Sequence, residues 1–229
     1  MSQTPMWQPT ALQAATTNMG RFMTEVAHRW NEEMPDYAAL HQWSVNRRED
    51  FWSTVWDFCA VRAATRGKVT LRNGDAMPGA QWFPEARLNF AENLLRGEGP
   101  EDAIVFWGED RVKRRLSQAD LRAAVSRLQQ ALRAMGVGAG DRVSGFLPNL
   151  PETVIAMLAT TSLGAVWSSC SPDFGVQGVL DRFGQIEPKV LFVADGYFYG
   201  GKAFDCLDKV KSITAQLPSL EKLIVVPYM

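Results

Sequence analysis

This sequence predicts an α/β fold: a mostly parallel sheet with flanking helices, preceded by a helical, Trp-rich amino-terminal extension. Three observations predict it. From about residue 101 the chain alternates short apolar runs with amphipathic stretches of helical length, the pattern of strands joined by helical crossovers. Residues 1–100 have another texture, irregular and holding Trp7, Trp30, Trp43, Trp52, Trp56 and Trp82. The composition is 46% hydrophobic and 21% charged, which is enough apolar material to bury a real core. The division is accordingly placed at 1–100 for the extension and 101–229 for the sheet-bearing part.

In the extension, Phe51, Val55 and Phe58 fall at i, i+4 and i+7, one stripe of a helix, with Trp52 and Trp56 on a second stripe beside it. So wide an aromatic face needs a cover, and the expectation is a helical clasp packed on the main domain. Residues 81–95 read as a loop and then a helix opened near Pro84, ended by Gly97 and Gly99-Pro100. Ala103-Ile104-Val105-Phe106-Trp107, a turn at Gly108-Glu109-Asp110 and the run 111–116 read as a hairpin. Ser117-Gln118-Ala119-Asp120 has the form of a capping box. It opens a helix with Leu121, Val125, Leu128 and Leu132 on one face, stopped at Gly136. A strand follows over 142–147. Three more units keep the rhythm: helix 151–163 feeds strand 165–169, helix 176–186 feeds strand 189–194, and helix 203–216 feeds strand 222–227.

Parallel sheets bind ligands at the carboxyl ends of their strands, which directs attention to the loops after Leu147, Ser169 and Ala194. In the last of these, Gly196 to Lys202 fits the G-x-x-x-x-G-K spacing of a phosphate loop. Two features argue against that function. Ala203 stands where a magnesium-holding hydroxyl is required, and Tyr197-Phe198-Tyr199 is bulky where amides must wrap phosphates. What survives is Gly200-Gly201-Lys202 at a helix start, offering free amides and one cation to a phosphate or an adenine–ribose edge. The plain alternative is a turn whose glycines only permit the bend. After Ser169, Ser171 or Asp173 is placed to cap the next helix, and the loop can line a ligand channel. Pro148-Asn149 is an ordinary strand-to-helix turn.

A net charge of -1 gives no electrostatic reason to expect nucleic acid or an anionic membrane as partner. Lys113-Arg114-Arg115 is short enough to be a solvated strand edge. The first residues lack a basic start and an apolar core of signal type, and no run reaches the ~18 apolar residues of a membrane span, so a cytoplasmic protein is expected. Cys59, Cys170 and Cys206 are far apart, and His28 and His41 are the only histidines. No metal spacing and no activated nucleophile emerge, and Cys170 reads as a small buried hydrophobe.

Several strings carry a resemblance. Gly138-Ala139-Gly140-Asp141-Arg142-Val143, then Pro148-Asn149 and Glu152, resembles the opening of the large domain in adenylate-forming enzymes. Trp82-Phe83-Pro84-Glu85-Ala86-Arg87-Leu88-Asn89-Phe90-Ala91-Glu92-Asn93-Leu94-Leu95 looks like the amino-terminal region of acetyl-CoA synthetase relatives. More specific are Met6-Trp7-Gln8-Pro9, Trp167-Ser168-Ser169-Cys170-Ser171-Pro172-Asp173-Phe174-Gly175 and Asp195-Gly196-Tyr197-Phe198-Tyr199-Gly200-Gly201-Lys202. Together they resemble the acetoacetate–CoA ligases, along nearly the whole chain.

That resemblance implies a two-step ligase using ATP, Mg²⁺ and CoA, in which an acyl-adenylate forms and the CoA thiol then displaces AMP. It implies small-molecule substrates and the remainder of a ligase chain as partners. In acetyl-CoA relatives the stretch matching Tyr199-Gly200-Gly201-Lys202 begins and ends with Arg and contacts the nucleotide end of CoA. Lys202 keeps the terminal cation without the fork of Arg, and Tyr199 replaces the first Arg. A glycine bordering the pantetheine tunnel matches Ser169. The CoA site implied here is therefore Tyr199, Gly200, Gly201, Lys202 and Ser169, only part of a complete one. The phosphate loop, the adenine and ribose segments, the hinge Asp and the catalytic Lys are expected beyond Met229, so this length of chain alone is expected to be inactive.

Overall fold

The computed structural model describes residues 6–109 and 111–229. Two compact units divide the chain, Met1–Leu88 and Asn89–Met229.

The first unit is helical. Thr10 and Gln13 form a capping box at the start of α1 (Ala11–Thr16), and Thr17 caps α2 (Asn18–Trp30). Asp36 caps α3 (Tyr37–Asn46), and α4 (Arg48–Phe58) follows directly. Phe22 and Val26 of α2 meet Leu40 and Trp43 of α3 in a small core, against which Phe51 and Val55 of α4 pack. Of the aromatic face read in the sequence, Phe51 and Val55 are covered by this core, Trp52 lies against Trp82 and Trp56 against Phe83, and Trp52 and Phe58 stay partly exposed. Phe22 lies edge-on to Phe51 at 5.8 Å and to Phe58 at 5.1 Å, the arrangement aromatic quadrupoles prefer. The buried Thr54 hydroxyl accepts from Trp30 Nε1 at 2.8 Å and donates to the Asp50 carbonyl at 2.7 Å. A two-residue antiparallel pair, β1 (Leu71–Arg72) with β2 (Gln81–Trp82), completes the unit.

Asp57 joins two cations, Arg29 Nη1 at 2.7 Å and Arg66 Nη1 at 2.6 Å. Partial burial pushes this carboxyl up, but hydrogen bonds and charge from Arg29 and Arg66 outweigh it and hold it below its ordinary value. A carboxylate lowered in the folded state adds stability that is present above its unfolded pKa and lost as pH falls through the folded one. Unfolding free energy is therefore expected to decline more steeply below pH about 4 than it does in Asp57→Asn. Parallel declines in urea titrations of the two proteins would contradict this.

The second unit carries the sheet. No helix opens at Pro84; the chain instead turns, and α5 (Phe90–Leu94) begins at Asn89. That asparagine explains the position. Its Oδ1 accepts from the Glu92 amide at 3.1 Å, while Nδ2 donates to the Thr161 and Ser162 carbonyls at 3.1 and 3.2 Å. One side chain caps the start of one helix and the end of another. β3 (Asp102–Gly108) and β4 (Val112–Ser117) form the expected hairpin. Ser117 and Asp120 make the capping box of α6 (Gln118–Ala134), whose Leu121, Val125 and Leu132 are buried.

The remaining elements alternate: β5 (Arg142–Phe146), α7 (Pro151–Ser162), β6 (Val166–Cys170), α8 (Val176–Ile186) and β7 (Val190–Ala194). Then come β8 (Gly196–Tyr199), β9 (Lys202–Asp205), α9 (Leu207–Thr214) and β10 (Lys222–Val226). Four strands make one parallel sheet in the order β10-β7-β5-β6. β7 is buried throughout, and its side chains alternate between two cores. Val190, Phe192 and Ala194 join α6 and α7 on one face; Leu191 and Val193 join α8 and α9 on the other. The chain moves from β5 outward to β6 and then back across β5 to β7. With crossovers of one hand, that reversal requires the two connecting helices to lie on opposite faces, as α7 and α8 do. The order therefore reverses between β5 and β7, the place where open α/β sheets leave a crevice.

Two readings of the loops change. Neither Ser171 nor Asp173 caps α8, which starts at Gly175 with no side-chain cap. Ser171 is used instead in a tight turn, its carbonyl accepting from the Phe174 amide at 3.2 Å. The second change concerns residues 196–205.

Candidate functional site

Residues 196–205 are a hairpin, and the helix starts only at Leu207. The amino acids explain why. Gly200-Gly201 sits between Tyr199 and Lys202, which pair with each other, and both glycines have positive φ, +57° and +76°. A two-residue hairpin loop of the kind matching strand twist needs φ above zero at both positions. Tyr197 stacks on Phe204, its partner across the ladder, at 5.1 Å. Lys202 accordingly stands on a strand and draws nothing from a helix dipole, and a phosphate loop, which needs a helix next, is absent from this segment.

The hairpin springs from the carboxyl end of β7, the strand beside the reversal point. Asp195 fixes its base: one carboxylate oxygen accepts from the amides of Gly196 at 2.9 Å, Tyr228 at 2.8 Å and Met229 at 3.2 Å. Gly196 is needed for close approach. A Cβ there would lie 2.5 Å from the Phe204 carbonyl oxygen and 2.3 Å from Met229 Cε.

At the tip the amides are not free. Gly200 N donates to Glu109 Oε1 at 2.8 Å and Gly201 N to Glu109 Oε2 at 2.9 Å. Arg111 Nη2 donates to the Gly201 carbonyl at 2.9 Å, and its guanidinium lies 4.8 Å from the Phe198 ring centre. Glu109 and Arg111 were missed in the sequence because they lie some ninety positions away, with no local pattern linking them to the tip. The signal for the hairpin itself was available: a Gly-Gly pair between β-forming residues.

Lys202 is exposed; its backbone pairs with Tyr199 across the ladder, while its ammonium makes no hydrogen bond or ion pair with any described residue. Tyr199 is 72% exposed. Being directly opposite in the ladder, these two side chains leave the hairpin on the same face, so the tip presents one aromatic ring beside one ammonium. Ser169 is elsewhere. It lies exposed on the edge strand β6, in the row Ser169–Gly145–Phe192. Two strand spacings, roughly 9–10 Å, separate it from β7. The structure gathers Tyr199, Gly200, Gly201 and Lys202 on one turn and leaves Ser169 across the reversal point.

Burial pushes the Cys170 thiol up despite the opposing charge of Arg182, and the Cys206 thiol is likewise raised by burial. Neither is poised as a thiolate. Among the described residues no cluster of three or more His, Cys, Asp or Glu side chains could hold a metal ion. None of their helices is long and apolar enough to cross a membrane. Arg114 pairs with Glu152 at 2.6 Å, Arg115 with Asp102, and Lys113 lies 4.6 Å from the Trp107 ring centre, so the basic run has local uses.

The family described as AMP-binding enzyme matches residues 94–227, more than half of the chain. The chain belongs to the AMP-binding enzyme family. Residues 37–94 match the acetyl-coenzyme A synthetase N-terminus, in agreement with the resemblance carried by the segment 82–95. Acetoacetyl-coenzyme A synthetase of Rhizobium meliloti (strain 1021) is 52% identical, over 99% of this chain and 34% of its own length. Malonamoyl-CoA synthetase vrtB of Penicillium aethiopicum is 38% identical, over 96% of this chain and 31% of its own. The solved structure of acetoacetyl-CoA synthetase from Streptomyces lividans superposes with a TM-score of 0.93 at 45% identity, covering 98% of this chain and 35% of that one. The chain thus spans about a third of the length of these relatives.

Proposed function

We propose that the chain forms the first part of the large domain of an ATP-dependent acetoacetate–CoA ligase, with the preceding residues as its amino-terminal extension. In this reading an acetoacetate carboxylate oxygen attacks the α-phosphorus of ATP and pyrophosphate leaves. The CoA thiol, losing its proton, then attacks the carbonyl carbon of the adenylate, and AMP departs. The observation that carries the reading is the 52% identity, along 99% of the chain, to a relative named acetoacetyl-coenzyme A synthetase.

Tyr199, Gly200, Gly201 and Lys202 are the proposed contact with the nucleotide end of CoA, and Ser169 with its pantetheine arm. The Lys202 ammonium neutralises a phosphate, and the Tyr199 ring offers a stacking surface. Two facts support this: the turn stands at the carboxyl edge beside the reversal point, and the Lys202 ammonium has no partner among the described residues. Mg²⁺ is proposed to accompany the ATP phosphates. Among the described residues no group of three or more His, Cys, Asp or Glu side chains could hold it. A cytoplasmic setting, with the remainder of the ligase polypeptide as partner, completes the proposal.

The test is acid-dependent exchange of pyrophosphate into ATP by the complete ligase polypeptide. Acetoacetate is expected to support exchange about tenfold or more above acetate or butyrate. A second reading, a ligase for another short acid, is favoured by the 38% identity to a malonamoyl-CoA synthetase. Faster exchange with malonamate than with acetoacetate would replace the first reading by that one. No exchange with any acid would point to a non-catalytic CoA- or nucleotide-binding module.

A further inference from the structure

We infer that Glu109 is a positioning residue for the hairpin tip, clasping the Gly200 and Gly201 amides so that Tyr199 and Lys202 are held ready for the coenzyme. The inference rests on the proposed meeting of this tip with CoA and adds to it a residue that touches neither coenzyme nor reacting atoms.

The geometry is two-pronged: one carboxylate oxygen to each amide, at 2.8 and 2.9 Å. Successive amides of a tight turn form a concavity that suits an anion, and bonds to an ionised acceptor are the stronger kind. Arg111 adds a third hold through the Gly201 carbonyl. Both residues belong to the β3–β4 turn, and that hairpin is seated in the core through Ala103, Ile104 and Phe106. A Gly-Gly turn left alone is the most permissive backbone a chain can have, and ordering it at the moment of binding costs affinity. The clasp orders it beforehand. It also decides what the tip can offer, because a carboxylate already fills the amide concavity. An incoming anion is then left with the Lys202 ammonium as its partner.

The experiment compares Glu109→Ala and Glu109→Gln with the parent sequence in the complete ligase, with Lys202→Ala alongside. Glu109→Ala is expected to raise KM for CoA about five- to tenfold and to leave acetoacetate-dependent pyrophosphate exchange within about twofold. Glu109→Gln, which keeps one acceptor oxygen, should fall between. Amide hydrogen exchange of the peptide spanning 196–205, measured without CoA, should quicken in Glu109→Ala. If Lys202→Ala raises KM for CoA while Glu109→Ala leaves it unchanged or lowers it, the inference is overturned and the CoA reading stands. If both variants leave it unchanged, the CoA reading fails and takes the inference with it. Unchanged hydrogen exchange, or an equal loss in pyrophosphate exchange and thioester formation, also overturns the clasp.

Discussion

Lys202→Ala in the complete ligase is expected to raise KM for CoA about 10- to 100-fold while adenylate formation stays near the parent rate. The expectation follows from the state of the side chain before any ligand arrives. Lys202 is exposed and its ammonium has no internal partner among the described residues, so binding a phosphate breaks no existing ion pair. A hydrogen bond to a charged group contributes about 1.5–3 kcal/mol, and tenfold in affinity corresponds to about 1.4 kcal/mol. Exposure and salt reduce the gain, which favours the lower end of the range and makes the difference larger at low ionic strength. Lys202→Arg preserves the charge and should recover most of the affinity. The two half-reactions separate the alternatives: pyrophosphate exchange reports the first step and thioester formation the second. An equal loss in both, or none in either, removes this hairpin from the coenzyme site.

Phe183→Ala is expected to destabilise the protein by about 3–5 kcal/mol. Phe183 is fully buried and sits with Val179, Phe146, Leu191, Val193 and Ile213 in the core between the sheet and α8 with α9. Alanine removes the ring, and the neighbours collapse only in part because β5 and β7 are interior strands held on both sides. Domains are stable by only about 5–15 kcal/mol, so the loss is a large share of the total. Phe183→Leu fills most of the volume and should cost less than about 1.5 kcal/mol. Urea unfolding of the parent and both variants measures the difference. A loss below about 1 kcal/mol for Phe183→Ala would mean that this layer contributes little to the fold.

The alternating part of the chain was legible because its signals are local. Ser117 and Asp120 announce α6 with a capping box, Pro151 opens α7 at its first position, and the apolar run 190–194 is short enough for a buried strand. What failed were places where two local signals compete or a distant group decides. Pro84 has the fixed φ that suits a first helical turn, yet Asn89 takes the role because its amide group serves two helices at once. Lys202-Ala203 reads as the start of a helix after a phosphate-loop spacing. The Gly-Gly pair, with Tyr197 facing Phe204, settles the segment as a hairpin. At the candidate site the turn residues were visible, but the carboxylate that engages their amides was not. Glu109 is an ordinary charged turn residue until the fold brings it to Gly200.

The anchoring role of Asp195 has a mechanical corollary. A single oxygen atom ties the foot of the hairpin to the segment leaving β10. Any swing of that outgoing segment must therefore tug on the base of the β8–β9 arm or break its tether. Asp195 shares this coupling with the Phe198 and Tyr228 rings, whose centres lie 5.3 Å apart.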